Sequence, residues 1–240
     1  MKTIKTEPIT ILIVDDEVQI QKLLTYGLKE QGFETFTASS GEECLTMIAN
    51  QNPSCVLLDV GLPRMSGLET LKEIRSFSAV PVLMLTVEDD DDTKVQALDL
   101  GADDYVTKPF SMPVLRARIK AILRRKEKMS SPSDLSTESV KEFSSAHLRV
   151  DFISHKIWVS AQEVHLTVTE FELLTFFIEN RGKVVTHQSI LAKIWGDKAG
   201  DQMHYLRVYI NNLRRKIELN PSIPKLIITE VGIGYRFEAA

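Results

Sequence analysis

The first half of the chain alternates short apolar runs with segments in which apolar residues recur at helical spacing. The run ITILIV at residues 9–14 is continuously apolar, as in a parallel strand that is covered on both faces. Similar runs follow at residues 33–38, 55–58, 80–86 and 105–107. Helical patterns alternate with them, and the first comprises Ile20, Leu23, Leu24 and Leu28. Five strand–helix units predict a five-stranded parallel sheet of the flavodoxin-like, doubly wound α/β class.

The pattern changes after Arg124. Residues 126–146 are charged and serine-rich with almost no aliphatic periodicity, which predicts a linker between domains at residues 8–125 and 147–240. Short alternating segments then predict antiparallel strands: LRVDF, KIWVS and EVHLT. Three helical patterns follow, and the last is an apolar stripe of Leu206, Ile210, Leu213 and Ile217. Two extended runs around Gly232-Ile233-Gly234 predict a closing hairpin, so the second domain is of the α+β class.

Composition narrows the class of protein. The chain has 240 residues, 43% hydrophobic and 26% charged, which is ordinary for a globular protein. No apolar run approaches the ~18 residues of a membrane helix, and the first residues lack the apolar core of a signal peptide. The two cysteines, Cys44 and Cys55, cannot build a disulfide framework and have no CxxC partners for zinc. We therefore expect a reduced, cytoplasmic protein that does not engage a membrane.

The net charge of −4 combines two unlike regions. Residues 1–125 carry 14 Lys and Arg against 19 Asp and Glu, whereas residues 147–240 carry 12 against 10. This difference indicates two domains with different partners.

Charged and polar residues follow the predicted strands of the first domain. Asp15 and Asp16 end the first strand, Asp59 the third and Thr86 the fourth, and Lys108 follows the fifth. The carboxyl ends of parallel strands meet at one edge of the sheet, so these side chains should gather there. Clustered carboxylates favour a hard cation such as Mg²⁺, and a metal with a lysine suits phosphoryl transfer, in which an aspartate can be the nucleophile.

Each of these residues also has a plainer interpretation. Carboxylates are common in solvated loops after strands, and Thr86 could simply be a residue at a strand end. The acidic run at residues 88–92 is consistent with a solvated loop, although Glu88 could also modulate the attack of water on a phosphoryl group. Only the whole set, in this order, favours a site.

The sequences ILIVDDE, LLDVGLPRMSG, MLT and GADDYVTKPF resemble the receiver domain of bacterial two-component response regulators. The resemblance implies that Asp59 accepts a phosphoryl group from a sensor histidine kinase. It implies that Asp15, Asp16, Asp59 and the backbone carbonyl of Gly61 hold Mg²⁺. Lys108 would contact the phosphoryl oxygens and Thr86 would hydrogen-bond to them, while Tyr105 would be the aromatic switch. The family also has a cis peptide bond at the position of Lys108–Pro109.

The resemblance also implies that the active receiver forms a homodimer through its fourth helix, fifth strand and fifth helix. The resemblance carries over Asp104 with Arg118 as an ion pair, and adds Lys94 and Lys120 to the interface. One departure is Val114, because the family usually has a glutamate there, so Lys94 lacks its usual partner.

The helix that carries the apolar stripe has a polar opposite face of His204, Arg207, Asn211, Arg214 and Arg215. Arginine can read guanine and asparagine can read adenine in a major groove, although a polar outer face is also normal for a solvated helix. The surrounding sequences LTVTEFELLTFFIENRGKVVTHQSILAKIWG, HYLRVYINNLRRKIE and TEVGIGYRF resemble the winged-helix effector domain of the porin-regulator and phosphate-regulon subfamily. Within that subfamily, EVHLTVTEFELL and HYLRVYI are similar to the regulators of high-affinity potassium uptake. The resemblance makes residues 202–219 the recognition helix, the Gly232-Ile233-Gly234 turn the wing, and Arg236 a contact to the DNA backbone.

The resulting prediction is a transcription factor that dimerises when phosphorylated, binds repeated sites in double-stranded promoter DNA and engages RNA polymerase. A phosphorylation-independent regulator that uses its receiver only to dimerise is the alternative. An aspartyl-phosphate hydrolase of the haloacid-dehalogenase type would need an acidic residue two positions after the nucleophile. Gly61 occupies that position, so we do not expect an enzyme.

Overall fold

The computed structural model describes residues 8–87, 91–130, 142–145, 147–195 and 203–238. The chain divides into two compact units, residues 1–123 and 124–240, which are described separately. Among the described residues, no helix combines the length and the apolar character that crossing a membrane requires.

The first unit contains five parallel strands in the order β2-β1-β3-β4-β5. The strands are β1 (Thr10–Val14), β2 (Glu34–Ala38), β3 (Cys55–Asp59), β4 (Val82–Val87) and β5 (Asp104–Lys108). The alternating helices are α1 (Val18–Lys29), α2 (Gly41–Gln51), α3 (Gly67–Phe77), α4 (Asp91–Asp99) and α5 (Met112–Ser130). This order is that of flavodoxin-like folds, so the predicted fold class is confirmed.

Burial in α1 follows the predicted apolar pattern except at one residue. Leu24 and Leu28 are fully buried against β1, β3 and α5, and Ile20 packs at the edge of the same cluster. Leu23 was predicted to share that apolar face, but it is 51% exposed. The buried side of α1 is centred on Leu24 and Leu28, and Leu23, which is rotated by about 100° from Leu24, falls outside it.

The described residues of the second unit form short antiparallel strands and three helices. Its first sheet comprises β6 (Glu142–Ser145), β7 (Leu148–Asp151), β8 (Lys156–Val159) and β9 (Gln162–Val164), in that order. The helices are α6 (Val168–Glu179), α7 (His187–Trp195) and α8 (Met203–Ile217). A second sheet has the order β10-β12-β11 and comprises β10 (Val184–Thr186), β11 (Ile227–Glu230) and β12 (Gly234–Phe237). The predicted α+β class of this domain is confirmed.

Two features of this unit follow directly from sequence. Thr167 and Glu170 form the predicted capping box, in which the Thr167 N–H donates to Glu170 and the Glu170 N–H donates to the Thr167 hydroxyl. All four residues of the predicted apolar stripe are buried: Leu206, Ile210, Leu213 and Ile217.

The predicted linker, residues 126–146, lies largely outside the described residues. Within it, the structure describes the end of α5 up to Ser130 and the strand β6. Phe143 of β6 is buried and pairs in register with Val150, which explains why this polar stretch contains a strand.

Candidate functional site

Three aspartates converge at the carboxyl edge of the parallel sheet. Asp15 follows β1 and Asp59 ends β3, and these strands are neighbours on either side of the point where the strand order reverses. One carboxylate oxygen from each of Asp15, Asp16 and Asp59 lies within 4.8 Å of the others. Asp15 and Asp59 are buried, whereas Asp16 is exposed. The cluster is therefore open to solvent on one side.

Lys108 compensates part of this negative charge. Its ammonium lies 2.6 Å from Asp59 Oδ1 and 2.9 Å from Asp15 Oδ2. Burial raises the pKa of Asp59 above its ordinary value, although the Lys108 ammonium and the Gly61 N–H oppose this rise. Burial by itself would lower the pKa of Lys108, but the hydrogen bonds that it donates to Asp59 and Asp15 raise that pKa above its ordinary value. Lys108 is therefore held as a cation between two carboxylates.

Backbone groups orient the two buried carboxylates. The Gly61 N–H donates to Asp59 Oδ2 at 3.0 Å, and the Glu17 N–H donates to Asp15 Oδ1 at 2.9 Å. The Gln21 side-chain amide donates to the Asp15 carbonyl at 2.6 Å and so holds the loop after β1 against α1. Nothing in the sequence pattern singled out Gln21 for this role.

Helix α3 begins directly beside Asp59. Ser66 and Glu69 form a capping box at its start, and the Gly67 N–H donates to the Val60 carbonyl. A Cβ atom on Gly67 would lie 2.0 Å from the Asp59 carbonyl oxygen, so only glycine allows this approach. The motif that follows Asp59 thus sets how closely α3 packs against the site.

Thr86 lies on β4, which is next to the strand of Asp59, and Tyr105 lies on β5, the strand beyond β4. The Thr86 side chain is buried, and its hydroxyl has no hydrogen-bond partner among the described residues. Tyr105 is half-buried, with the Lys94 ammonium 5.9 Å and the Arg118 guanidinium 6.0 Å from its ring centroid. The Lys108–Pro109 peptide bond is cis. Glu88, considered above as a modulator of hydrolysis, lies outside the described residues.

The residues predicted at a dimer interface occupy different environments. Arg118 donates to both oxygens of Asp104, at 3.0 and 2.7 Å, within the same chain. Lys94 is buried and lies 2.9 Å from Asp91, whereas Lys120 is exposed on α5. Val114 is 50% exposed.

In the second unit, α8 presents a polar face opposite its apolar stripe. His204, Arg207, Asn211 and Arg215 are exposed on this face. Arg214 lies at its edge and is only partly exposed, and its guanidinium donates to the Ile227 carbonyl and to the Thr229 hydroxyl. The helix therefore brings four of its five predicted contact residues together on an accessible surface, while Arg214 turns toward β11.

The closing hairpin places its turn at residues 231–233. Val231 is 91% exposed and Ile233 is also exposed, so the tip is apolar. A Cβ atom on Gly234 would lie 1.9 Å from the Val185 carbonyl oxygen, so glycine is required where β12 meets β10. Arg236, predicted to contact DNA, forms ion pairs with Glu230 at 2.8 Å and with Glu238.

Comparisons with known proteins cover both units. Residues 11–120 match the family described as response regulator receiver domain, and residues 161–237 match the family described as transcriptional regulatory protein, C terminal. The chain is 43% identical over 229 residues to the transcriptional regulatory protein KdpE of Mycobacterium tuberculosis, covering 95% of this chain and 99% of that protein.

A second relative is the KDP operon transcriptional regulatory protein KdpE of Escherichia coli. It is 40% identical over 227 residues, covering 95% of this chain and 98% of that protein. Among solved structures, a mutant of RitR superposes with a TM-score of 0.78 at 22% sequence identity, covering 96% of this chain and 99% of that chain. That structure supports the fold.

Proposed function

The chain belongs to the two-component response regulators of the winged-helix subfamily, and from this premise we propose that phosphorylation of Asp59 switches its binding to promoter DNA. The chain is a transcriptional regulator with a DNA-binding output domain, and its relatives are named regulators, not enzymes. The predicted resemblance to the potassium-uptake regulators is also confirmed, by identities of 43% and 40% to the two KdpE proteins. The steps by which phosphorylation would control dimerisation and DNA binding are our proposal.

The observation that carries the proposal is the arrangement of Asp59 beside Lys108. In the transfer, an Asp59 carboxylate oxygen attacks the phosphorus of a phosphohistidine on the sensor kinase. A P–O bond forms, the P–N bond breaks, and its electron pair returns to the imidazole nitrogen. Lys108, 2.6 Å from Asp59, is positioned to stabilise the charge on the phosphoryl oxygens, and this kind of fixed charge supplies much of phosphoryl-transfer catalysis.

The donor set fits Mg²⁺. Three carboxylate oxygens within 4.8 Å of one another are the hard ligands that this ion prefers, and the exposed side of Asp16 leaves room for water ligands. We propose that Asp15, Asp16, Asp59 and the Gly61 carbonyl hold the ion. When bound, it would offset the negative charge that a phosphoryl group brings to this acidic edge.

The switch begins at Thr86. Within the part of the chain that the structure describes, its buried hydroxyl lacks a hydrogen-bond partner, and a phosphoryl oxygen on Asp59 would supply an acceptor. Movement of Thr86 would open space on the Asp59 side of the sheet, and Tyr105 would turn inward to fill it. Because Tyr105 contacts Lys94 and Arg118, its movement changes the surface formed by α4, β5 and α5.

We propose that this surface forms the homodimer of the phosphorylated state. Asp104 and Arg118 already pair within the chain, so dimerisation would have to share or exchange that pair. Lys120 is exposed and can join the interface, whereas little of Lys94 is accessible. Since single exposed pairs contribute at most about 1 kcal/mol, the missing glutamate at Val114 should weaken the dimer only slightly.

Dimerisation would present two copies of the polar face of α8 to repeated half-sites in double-stranded DNA. His204, Arg207, Asn211 and Arg215 are accessible there for base and phosphate contacts. Two linked DNA-binding domains bind more tightly than one, because the second domain meets its half-site at a high effective concentration. Recruitment of RNA polymerase would follow at the promoter, and these partners imply a cytoplasmic protein.

The test compares wild type with Asp59→Asn after treatment with Mg²⁺ and a small phosphoryl donor. Light scattering measures dimerisation, and selection from genomic DNA measures sequence-specific binding. We expect the treatment to increase both quantities in the wild type and neither in Asp59→Asn. Equal and treatment-independent binding by both proteins would instead support the regulator that does not need phosphorylation.

A further inference from the structure

The strand β11 is the outer edge of its sheet, and two charged side chains cover this edge, one from the recognition helix α8 and one from the residue that follows it. Within the order β10-β12-β11, one side of β11 pairs with β12. The N–H and C=O groups of Ile227 on the other side bond to Glu218 and to Arg214. An exposed strand edge is normally paired, blocked or covered, and here the side chains of Arg214 and Glu218 cover it.

Glu218 follows the last turn of α8 and collects three consecutive backbone donors. The N–H groups of Lys225, Leu226 and Ile227 donate to its two carboxylate oxygens at 2.9, 2.8 and 2.9 Å. Glu218 is buried. A buried carboxylate that accepts three N–H groups fixes the start of β11 relative to the end of the helix, because loss of the bond to Leu226 or Ile227 leaves a buried N–H group unsatisfied.

Arg214 holds the same strand from one helical turn earlier. Its Nε and Nη2 atoms donate to the Ile227 carbonyl at 3.1 and 2.6 Å, and Nη2 also donates to the Thr229 hydroxyl at 2.8 Å. Its guanidinium lies 5.7 Å from the ring centroid of Tyr235 in β12. Two of the three guanidinium nitrogens of Arg214, Nε and Nη2, therefore bond to the hairpin that carries the wing.

We infer that Arg214 and Glu218 are positioning residues for DNA reading, which hold the wing hairpin at a fixed angle to the recognition helix. This inference rests on the proposed reading of DNA by α8 and the wing. The other edge of the hairpin is fixed as well, because Gly234 packs directly on the Val185 carbonyl. With both edges fixed, the wing tip at residues 231–233 keeps a constant distance from the polar face of α8.

Positioning and direct contact predict different responses to salt. A cation that neutralises one phosphate contributes about −0.9 to the slope of log K against log salt concentration. If Arg214 acts on the wing and not on a phosphate, its replacement should weaken binding without changing that slope. Arg207 is exposed on the DNA-facing side of α8, so its replacement should change the slope.

A variant of Glu218 distinguishes positioning from a direct electrostatic effect more sharply than a variant of Arg214, because Glu218 is an anion. Electrostatics alone predicts that Glu218→Gln, which removes a negative charge from a DNA-binding domain, binds DNA more tightly. Positioning predicts weaker binding, because the glutamine amide cannot accept all three N–H groups. Glu230→Gln is the matched control, since Glu230 lies in the same hairpin but pairs with Arg236 and not with α8.

The experiment uses the full chain, phosphorylated, on a DNA site selected with the wild type. Hydroxyl-radical footprinting separates protection by the wing from protection by α8, and titrations at several salt concentrations give the affinity and its slope. We expect Arg214→Lys and Glu218→Gln each to lose affinity about tenfold, within the range that one lost groove contact produces. We expect both to lose wing protection while the protection by α8 and the salt slope persist.

Lysine keeps the charge of Arg214 but cannot reproduce its planar set of donors, and it is the milder variant should Glu218→Gln fold poorly. Wild-type affinity with a normal wing footprint in Arg214→Lys or in folded Glu218→Gln would overturn the inference, as would a salt slope that changes in Arg214→Lys as it does in Arg207→Gln. If the wild type itself gives no specific footprint, the proposed function fails, and the positioning role fails with it.

Discussion

Removal of the Lys108 ammonium should leave the carboxylates of the receiver uncompensated. The variant Lys108→Met keeps a similar side-chain length but removes the cation that lies 2.6 Å from Asp59 and 2.9 Å from Asp15. At an effective dielectric constant of about 20, each contact has a gross attraction of about 6 kcal/mol, most of which offsets desolvation. Breaking a buried pair costs about 3–5 kcal/mol, and partial exposure of Lys108 places this case near 3 kcal/mol.

The loss should depend on pH in a defined direction. The pKa of Asp59 is already above its ordinary value of 3.8, because burial outweighs the opposing effect of Lys108. Without Lys108 that pKa rises further, so above pH 3.8 the folded state binds more protons than the unfolded chain. Stability then falls as pH rises toward the folded pKa, and it recovers as pH falls. The penalty of Lys108→Met should therefore be smaller at pH 5 than at pH 7.

Hydrogen exchange of the amides in β3 is the suitable assay. Both tryptophans, Trp158 and Trp195, lie in the second unit and would not report on the receiver. A loss of about 3 kcal/mol corresponds to roughly hundredfold faster exchange of the most protected amides. Addition of Mg²⁺ should recover part of this loss, because binding to the folded state stabilises it. Lys120→Met is the control and should change exchange little, since Lys120 is exposed. Equal exchange in wild type and Lys108→Met at pH 7 without metal would refute the reasoning.

Three further variants test single contacts. Thr86→Val should leave the unphosphorylated receiver as stable as the wild type, because the hydroxyl bonds to none of the described residues. The same variant should abolish the increase in dimerisation that phosphorylation causes, measured by light scattering. Gly67→Ala places a Cβ 2.0 Å from the Asp59 carbonyl and should slow phosphorylation by a small-molecule donor by about a hundredfold, the scale of a 1 Å misplacement; an unchanged rate would contradict the packing argument. Glu170→Ala removes the acceptor of both the Thr167 N–H and the Lys216 ammonium and should lower the free energy of unfolding of the second unit by about 1–3 kcal/mol in urea, followed by tryptophan fluorescence.

The convergence of the receiver residues could be predicted because it follows from topology. Strands of a parallel sheet end at one edge, so the neighbouring strands β1 and β3 bring Asp15 and Asp59 together, and the long side chain of Lys108 reaches them from the end of β5. The short distances from Asp15 and Asp59 to Lys108 are the geometric result. Details that depend on packing were not accessible in this way, as the exposure of Leu23 demonstrates.

The roles of charged residues in the second unit were harder to predict. Helical periodicity gives the direction in which Arg214 leaves α8, but its partners lie in β11, 13 and 15 residues further along the chain. Glu218 bonds to a segment that returns after a loop, and no local pattern signals that return. Strands of three or four residues, such as β10, are too short to show a period.

Arginines that bind other groups of the same domain are not available to bind DNA, and this gives a reason why the protein would need a switch. Two of the arginines predicted to reach DNA, Arg214 and Arg236, are engaged within the hairpin, which leaves Arg207 and Arg215 as the exposed arginines of the predicted set. Two phosphate contacts would give a salt slope of only about −1.8 per domain, far below that of proteins that make 6–10 such contacts. One copy should therefore bind weakly and depend on its base contacts. Joining two copies adds their contacts at high effective concentration, so control of dimerisation through Asp59 would control occupancy of the promoter.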